Sequence, residues 1–278
     1  MSEVTKDLNL IHGIEDVLPT YQGAGRDVRT GVEIELAFFD PKSPDLTPMT
    51  VPQNKILKNA TAARVPGDWL RNEPTAETLE MISIANTVDD LKPVLADLQH
   101  KMQALTRKAA AIGLKRSYFQ HLPEKTAANL YTNLVDLERY RAFWGPPRAD
   151  MRDIADYFAV AKSDQVSVSY SNTRHMLDNV RRLYFLAPLL FMITDNTAAF
   201  DQGKKLTGQA GMLHRATLGK RGGVPDHLFT AKTGDDYIRA HIDAVMNNPL
   251  FVYYDAYGVL QKIPSGEWTS FAQLKTQG

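Results

Sequence analysis

Apolar and charged side chains alternate most clearly along residues 30–40. The alternating positions are Val32, Glu33, Ile34, Glu35 and Leu36. Because successive side chains of a strand point to opposite faces, this period of two predicts a β-strand with one apolar and one acidic face. Residues 40–45 contain two prolines, which predict a turn at the end of this strand.

Helical spacing is clearest between residues 87 and 113. The apolar positions recur three or four residues apart, at Leu91, Val94, Leu95, Leu98, Met102, Leu105 and Ala109. Thr87, Asp89 or Asp90 fits the N-cap, and Pro93 favours one of the two aspartates because proline is tolerated only in the first turn. Gly113 is the expected stop after the last turn.

The rest of the chain predicts a mixture of strands and helices. We expect a short helix and a glycine turn before Arg26, a loop over residues 48–70, and strands over 73–85, 115–119 and 165–171. Further helices are expected over 151–162, 173–200 (kinked or divided at Pro188) and 235–246, before a hairpin of 250–254 and 259–263 around Gly258. This mixture predicts an α+β fold with a largely antiparallel sheet.

Charge and composition exclude several classes of function. Lys and Arg number 32, as do Asp and Glu, so no overall basic field is available to bind nucleic acid or an anionic membrane. The absence of cysteine excludes disulfides, a thiolate nucleophile and a cysteine zinc site. The first residues are too charged for a signal peptide, and the longest apolar run, residues 183–193, is too short to span a bilayer. We therefore expect a cytoplasmic protein without a membrane partner.

Two groups of carboxylates are candidates for metal binding. Glu33 and Glu35 are expected on one face of a strand, about 7 Å apart, where a cation would offset their repulsion. In the second group, a strand places Glu73 and Glu77 on one face and Glu80 on the other unless a bulge intervenes, whereas a helix places all three in one stripe. Together the groups would form an oxygen-rich Mg²⁺ site, and the alternative for each is a solvated acidic face.

Candidate cations for phosphate lie in a glycine-rich segment, residues 213–223. Arg215, Lys220 and Arg221 stand there among three glycines, which permit close approach of the backbone to an anion. No Walker or dinucleotide motif is present, and the alternative is a solvated basic loop. His121 fits a ligand or a base, or a structural histidine.

The order of these segments resembles the glutamate–cysteine ligases and the related carboxylate–amine ligases. Gly31-Val32-Glu33-Ile34-Glu35 resembles their first metal-binding strand, and residues 73–83 resemble the next acidic strand. Residues 165–171 are similar to the central strand, where plant-type members have Gln, although Ser167 and Ser169 replace the frequent Asn and Asp. Residues 187–203, 212–225 and 237–253 continue the resemblance in order.

The resemblance implies a fold, cofactors and residue roles. The fold would be glutamine-synthetase-like, with a curved, largely antiparallel sheet and helices packed on one face. It would bind ATP and two or more Mg²⁺ ions. The implied metal ligands are Glu33, Glu35, Glu73 and Glu80, with Glu77 as a further acidic neighbour. The implied nucleotide-binding residues are Gln165 and Arg215, with Lys220 and Arg221 from the basic loop, and Arg215 is the implied catalytic residue.

The implied reaction joins a carboxylate to an amine. ATP would phosphorylate a carboxylate such as the glutamate side chain, and an amine such as cysteine would displace phosphate, as in glutathione biosynthesis. The alternatives are a ligase for other substrates, or a non-catalytic relative that binds a metal–nucleotide or a partner protein. We expect residues 1–278 to form a single catalytic-type domain that lacks the family's C-terminal segment. A homo-oligomer or a second chain would then complete the sheet.

Overall fold

The computed structural model describes residues 14–65, 67–119, 121–135, 140, 156, 159–197, 200–206, 224–248, 250, 252–254, 257–263, 270 and 272–273. Contacts divide the chain into two compact units. The larger unit comprises Asp27–Ser169 and Tyr184–Gly223, and the smaller comprises Met1–Arg26, Tyr170–Leu183 and Val224–Gly278.

The described chain contains both helices and short antiparallel strands. The strands are β1 (Arg29–Phe39), β2 (Leu70–Asn72), β3 (Thr78–Ile82), β4 (Asn86–Thr87), β5 (Lys115–Arg116), β6 (Asp164–Val168), β7 (Phe200–Asp201), β8 (Lys204–Lys205), β9 (Val252–Tyr254) and β10 (Leu260–Lys262). The helices are α1 (Ile14–Val17), α2 (Val51–Ala62), α3 (Lys92–Ala111), α4 (Ala127–Tyr131), α5 (Thr173–Thr194), α6 (His227–Thr230) and α7 (Gly234–Asn247), and a 3₁₀ turn covers Leu18–Tyr21.

An open antiparallel sheet of six strands organises the larger unit. Strand β1 pairs with β3, β4, β5 and β6, and β2 extends the sheet beyond β3. The predicted antiparallel sheet and its first strand are therefore confirmed. In the described part of the chain β6 pairs with β1 alone, so the expectation of a second chain that completes the sheet stays a prediction.

The alternation along β1 separates an apolar face from an acidic one. The apolar face joins a buried core that contains Leu36, Phe38, Leu57, Leu79, Met81, Leu98 and Leu105. These side chains come from β1, α2, β3 and α3, so helices cover this face of the sheet. Because Glu33 and Glu35 occupy the alternate positions of β1, they lie on the opposite face, which we call the acidic face.

The loop expected over residues 48–70 is wrong, because α2 lies within it. The side chain of Gln53 accepts a hydrogen bond from the Thr50 N–H at 2.9 Å, which caps the start of this helix. Pro52 lies in the first turn, where its missing N–H costs nothing. Leu57 is fully buried and joins the helix to the core.

The strand expected over residues 73–85 is shorter than predicted, because residues 73–77 connect two strands of a hairpin. Asn72 of β2 lies opposite Leu79 of β3, and the connection closes with a hydrogen bond from the Thr78 N–H to the Thr75 carbonyl at 3.1 Å. Strand alternation therefore does not govern Glu73 or Glu77.

Helix α3 is confirmed, and both of its ends follow from local chemistry. The Asp90 carboxylate accepts from the Lys92 N–H at 3.1 Å, so Asp90 supports the first turn. Gly113 follows the last turn with a φ of 80°, a conformation that favours glycine. The helix expected over residues 151–162 falls mostly outside the described residues.

The smaller unit is built on a second apolar cluster. Its buried members are Leu177, Leu228, Tyr237, Ile238 and Ile242. The predicted helix near residues 235–246 and the hairpin around Gly258 are confirmed as α7 and β9–β10. Helix α5 continues past Pro188 to Thr194 as one element, whereas the sequence predicted a helix reaching residue 200. None of the helices in the described residues is long and apolar enough to cross a membrane.

A candidate metal site on the acidic face of the sheet

Strand register brings carboxylates from two strands together. Glu35 of β1 lies directly opposite Glu80 of β3, and directly opposed side chains of an antiparallel pair share a face. Glu33 lies two positions further along the same face, between Ile82 of β3 and Gln165 of β6. The face therefore presents acids on adjacent strands.

Glu73 completes a cluster of three carboxylates. It enters from the connection between β2 and β3, and one carboxylate oxygen from each of Glu35, Glu73 and Glu80 lies within 4.8 Å of the other two. All three residues are partly buried, so their mutual repulsion is screened less than on an open surface. A cation would relieve this repulsion.

These carboxylate oxygens are ligands of the kind that Mg²⁺ binds. This ion prefers carboxylate oxygens and holds each at about 2.1 Å, so two of its ligands lie at most about 4.2 Å apart. The three oxygens lie within 4.8 Å of one another, which is close to this limit. The remaining positions around an ion bound there would go to water or substrate oxygens.

Ser163 and Gln165 hold the Glu35 carboxylate in place. Oε2 accepts the Ser163 N–H at 3.0 Å, and Oε1 accepts the Ser163 hydroxyl at 2.9 Å. Gln165 Nε2 also donates to Oε1 at 3.2 Å, and the Glu35 N–H donates to the Ser163 carbonyl at 3.0 Å. These contacts fix the orientation of the carboxylate before any ligand arrives.

A buried ion pair lies one residue from Ser163. The Lys162 ammonium is 3.1 Å from Oε1 of Glu77, and both side chains are almost entirely buried. The hydroxyls of Thr75 and Thr78 also donate to this oxygen, at 2.6 and 3.1 Å. Glu77 is thus an ion-pair partner, and it links the β2–β3 connection to the segment that holds Glu35.

A cation stands beside the cluster on the same face. Arg71 of β2 lies opposite Glu80 of β3, and its exposed side chain makes a long ion pair of 3.7 Å with exposed Asp68. Exposed pairs of this kind contribute little energy. Arg71 is therefore available to an anion that reaches the acidic face.

The remaining residues that the sequence singled out have different positions. Glu33 shares the acidic face with the cluster but is not one of its three members. Gln165 contacts the cluster through Glu35. Arg215, Lys220 and Arg221 lie outside the described residues.

His121 is buried in the segment after β5 and is not a member of this cluster. Neither ring nitrogen has a hydrogen-bond partner among the described residues. Burial lowers the pKa of His121 below its ordinary value, and the nearby Asp201 carboxylate opposes that effect. Burial therefore favours the neutral imidazole, as in a structural histidine.

Ser163, Lys162 and Arg71 are the contributors that sequence reasoning missed. Ser163 and Lys162 directly precede the strand that contains Gln165, and a polar segment beside a candidate site was the available signal. Arg71 precedes Glu73 by two residues, but only the β2–β3 register shows that it reaches the same face.

No protein-family model matches the chain, and no curated protein matches it.

Proposed function

We propose that the protein is an ATP- and Mg²⁺-dependent ligase that joins a carboxylate, such as the glutamate side chain, to an amine such as cysteine. The observation that supports this proposal most is the convergence of Glu35, Glu73 and Glu80 from three different segments. The resemblance of the same segments, in order, to the glutamate–cysteine ligases supplies the reaction class. The fold would then be glutamine-synthetase-like.

Glu35, Glu73 and Glu80 would hold one magnesium ion, and Glu33 with Gln165 would lie where a second could bind. Bound magnesium would supply positive charge to the phosphates of ATP and to the phosphoryl group in transfer. Ser163 would keep the Glu35 carboxylate oriented throughout the reaction. No protein nucleophile is required, because the substrate carboxylate would attack the terminal phosphate of ATP and release ADP. The amine would then attack the carbonyl carbon of the acyl phosphate, release phosphate and lose a proton to solvent.

The cations would bind the anionic parts of the substrates. Arg215 is proposed as the catalytic arginine that contacts the transferring phosphoryl group, with Lys220 and Arg221 on the nucleotide. Arg71, which lies on the acidic face beside Glu80, would bind the carboxylate of the first substrate. A guanidinium matches such a group through two parallel hydrogen bonds.

The test combines metal binding with turnover. Mn²⁺ titration followed by electron paramagnetic resonance would measure the site in the wild type and in Glu35→Gln, Glu73→Gln and Glu80→Gln. Release of ADP would be assayed with glutamate and a panel of amines, including cysteine. We expect the three variants to lose Mn²⁺ binding and ADP release while retaining their thermal unfolding transition, because removing one carboxylate relieves repulsion in the metal-free site.

Asp89→Asn is the matched control, because this exposed acid precedes α3 and lies outside the cluster. It should bind Mn²⁺ as the wild type does. Mn²⁺ binding without ADP release, for every amine tried, would favour the non-catalytic alternative. Mn²⁺ affinity that is unchanged in Glu35→Gln would refute the metal site.

A further inference from the structure

A cavity lies at the far end of β1, where β5 pairs with Phe38 and Phe39. It has a volume of about 360 Å³, near the lower end of the range for small-molecule pockets, about 300 to 1,000 Å³. Phe39 is four residues beyond Glu35 on the same strand, which corresponds to about 13 Å. The cavity is therefore separate from the carboxylate cluster.

Three aromatic rings line this cavity, from Phe39, Tyr118 and Phe119. Tyr118 is 66% exposed and Phe119 is 42% exposed. Exposed aromatic rings beside a concave apolar surface are typical of ligand sites, because a bound ring would remove both from water. Leu46 and Leu122 add further apolar surface.

Lys115 and Arg116 form no close ion pair in the described part of the chain, although burial raises the pKa of Asp164 and the nearby Arg116 charge opposes this effect. Arg116 donates to the thioether of Met102 at 3.0 Å and lies 4.8 Å from the centre of the Tyr118 ring. A thioether is a weak acceptor, so most of the guanidinium donors stay available. Lys115 is exposed on the adjacent position of β5, whereas Lys125 is already paired with Asp45.

Hydrogen bonds hold the aromatic segment in place. The Ser117 N–H donates to the Ala37 carbonyl at 2.8 Å, which continues the pairing along β1. The Ser117 hydroxyl accepts the Phe119 N–H and reaches the His121 carbonyl, each at 3.1 Å. The Asn196 amide also donates to the Tyr118 carbonyl. The cavity wall is therefore formed without a ligand.

The geometry points to a binding site for a small monocarboxylate that bears a planar ring. Its ring would pack on Phe39, Tyr118 and Phe119, and its carboxylate would meet Lys115 and Arg116. Glu124 also lines the cavity, and its carboxylate would disfavour a polyphosphate and would accommodate the ammonium of an amino acid. The expected ligand is therefore an aromatic carboxylate, which is either a simple aromatic acid or an aromatic amino acid. This inference does not depend on the proposed ligase activity.

The probes are chosen to separate the ring, the charge and the amino group. Calorimetric titration of the full chain, without metal or nucleotide, would compare 4-hydroxyphenylacetate, tyrosine, the neutral 4-hydroxyphenylacetamide and phenyl phosphate. We expect at least one of the two carboxylates to bind about tenfold or more tightly than the amide, because a charge-assisted hydrogen bond is lost in the amide. Tighter binding of tyrosine that is abolished in Glu124→Gln would identify the amino acid as the ligand.

Variants test the same assignment from the protein side. Lys115→Gln and Arg116→Gln should each weaken the preferred carboxylate about tenfold, and Phe119→Ala should weaken acid and amide alike. Lys55→Gln, on exposed helix surface outside the cavity, should leave binding unchanged. Arg116 also contacts Met102 and Tyr118. If Arg116→Gln does not fold, the result for Lys115→Gln decides the test. The assignment would be overturned if the acid and the amide bound equally, if phenyl phosphate bound more tightly than both carboxylates, or if no probe bound. It would also be overturned if Lys115→Gln kept the wild-type affinity for the preferred carboxylate.

Discussion

Ser163 donates two hydrogen bonds to Glu35, from its N–H to one carboxylate oxygen at 3.0 Å and from its hydroxyl to the other at 2.9 Å. Both oxygens of one member of the carboxylate cluster are therefore oriented by a single residue. The N–H bond survives any change of the side chain, so replacing Ser163 tests the hydroxyl alone.

Ser163→Ala should weaken Mn²⁺ binding by about 10- to 100-fold, the usual effect of removing a partner of a metal ligand. The unfolding transition should change little, because Glu35 keeps the main-chain N–H and the Gln165 amide. Calorimetric or spectroscopic titration with Mn²⁺ measures the effect.

Ser163→Thr is the matched control, because it retains the hydroxyl and should restore most of the affinity. Wild-type protein that fails to bind Mn²⁺ would refute the metal site itself. Binding that is equal in wild type and Ser163→Ala would refute only the orienting role of Ser163.

The sequence predicted the elements in which periodicity and local signals agree. Strand β1 and helix α3 were predicted because one apolar period persists through each element. Helix α2 was missed because Pro52 was interpreted as a break, although it lies in the first turn of the helix. The apolar pattern was also weak, because Leu57 is the single fully buried large apolar side chain of α2. The capping pair Thr50 and Gln53 was the signal that could have found it.

The candidate site depends on register, which the sequence does not reveal. Glu35 and Glu80 are far apart in the chain and meet because β1 and β3 pair as they do. A shift of one residue would turn Glu80 to the opposite face. Glu73 joins them from a hairpin connection, where neither strand nor helix spacing applies.

Gly234→Ala should destabilise the smaller unit. A Cβ atom at position 234 would lie 2.1 Å from the Thr173 carbonyl oxygen. Because this oxygen belongs to the backbone, the clash is relieved only if α7 moves relative to the start of α5. Overpacking of this kind costs about 1 to 3 kcal/mol or more. Denaturant unfolding measures the loss.

Gly31→Ala provides the comparison, since the nearest atom to its added Cβ, the Ser83 hydroxyl, is at 3.7 Å, an ordinary contact. Stability similar in the two variants would contradict the close approach of α7 to α5.

His121 should make stability depend on pH. Burial lowers the pKa of the folded-state imidazole below 6.5, with Asp201 and Asp195 opposing the shift and Lys162 adding to it. Below pH 6.5 the imidazole therefore binds a proton more readily in the unfolded chain than in the folded chain. The contribution of His121 to the free energy of unfolding is complete above pH 6.5 and declines as the pH falls. Thermal unfolding from pH 7.5 to 5 should show a smaller decline in His121→Gln. Equal slopes in the two proteins would contradict the assignment to His121.

Lys162→Met should be the most destabilising of these changes. It leaves the fully buried Glu77 carboxylate without the ammonium at 3.1 Å, and loss of one partner of a buried ion pair costs about 3 to 5 kcal/mol. The change should also weaken Mn²⁺ binding, because Lys162 anchors the segment that presents Ser163 to Glu35.

The double variant Glu77→Gln/Lys162→Met separates the unpaired charge from the lost packing. The glutamine oxygen still accepts from Thr75 and Thr78, which both donate to Oε1 of Glu77, so the double variant removes the buried charge and keeps these hydrogen bonds. Its free energy of unfolding should therefore exceed that of Lys162→Met alone, as measured by urea denaturation of all four proteins in a double-mutant cycle. Arg239→Met, which breaks an exposed pair with Glu15, should change stability little. If the double variant were less stable than Lys162→Met, then an uncompensated charge would not be the reason for the loss, and Lys162 would contribute through its contact with the Ala159 carbonyl at 2.8 Å instead.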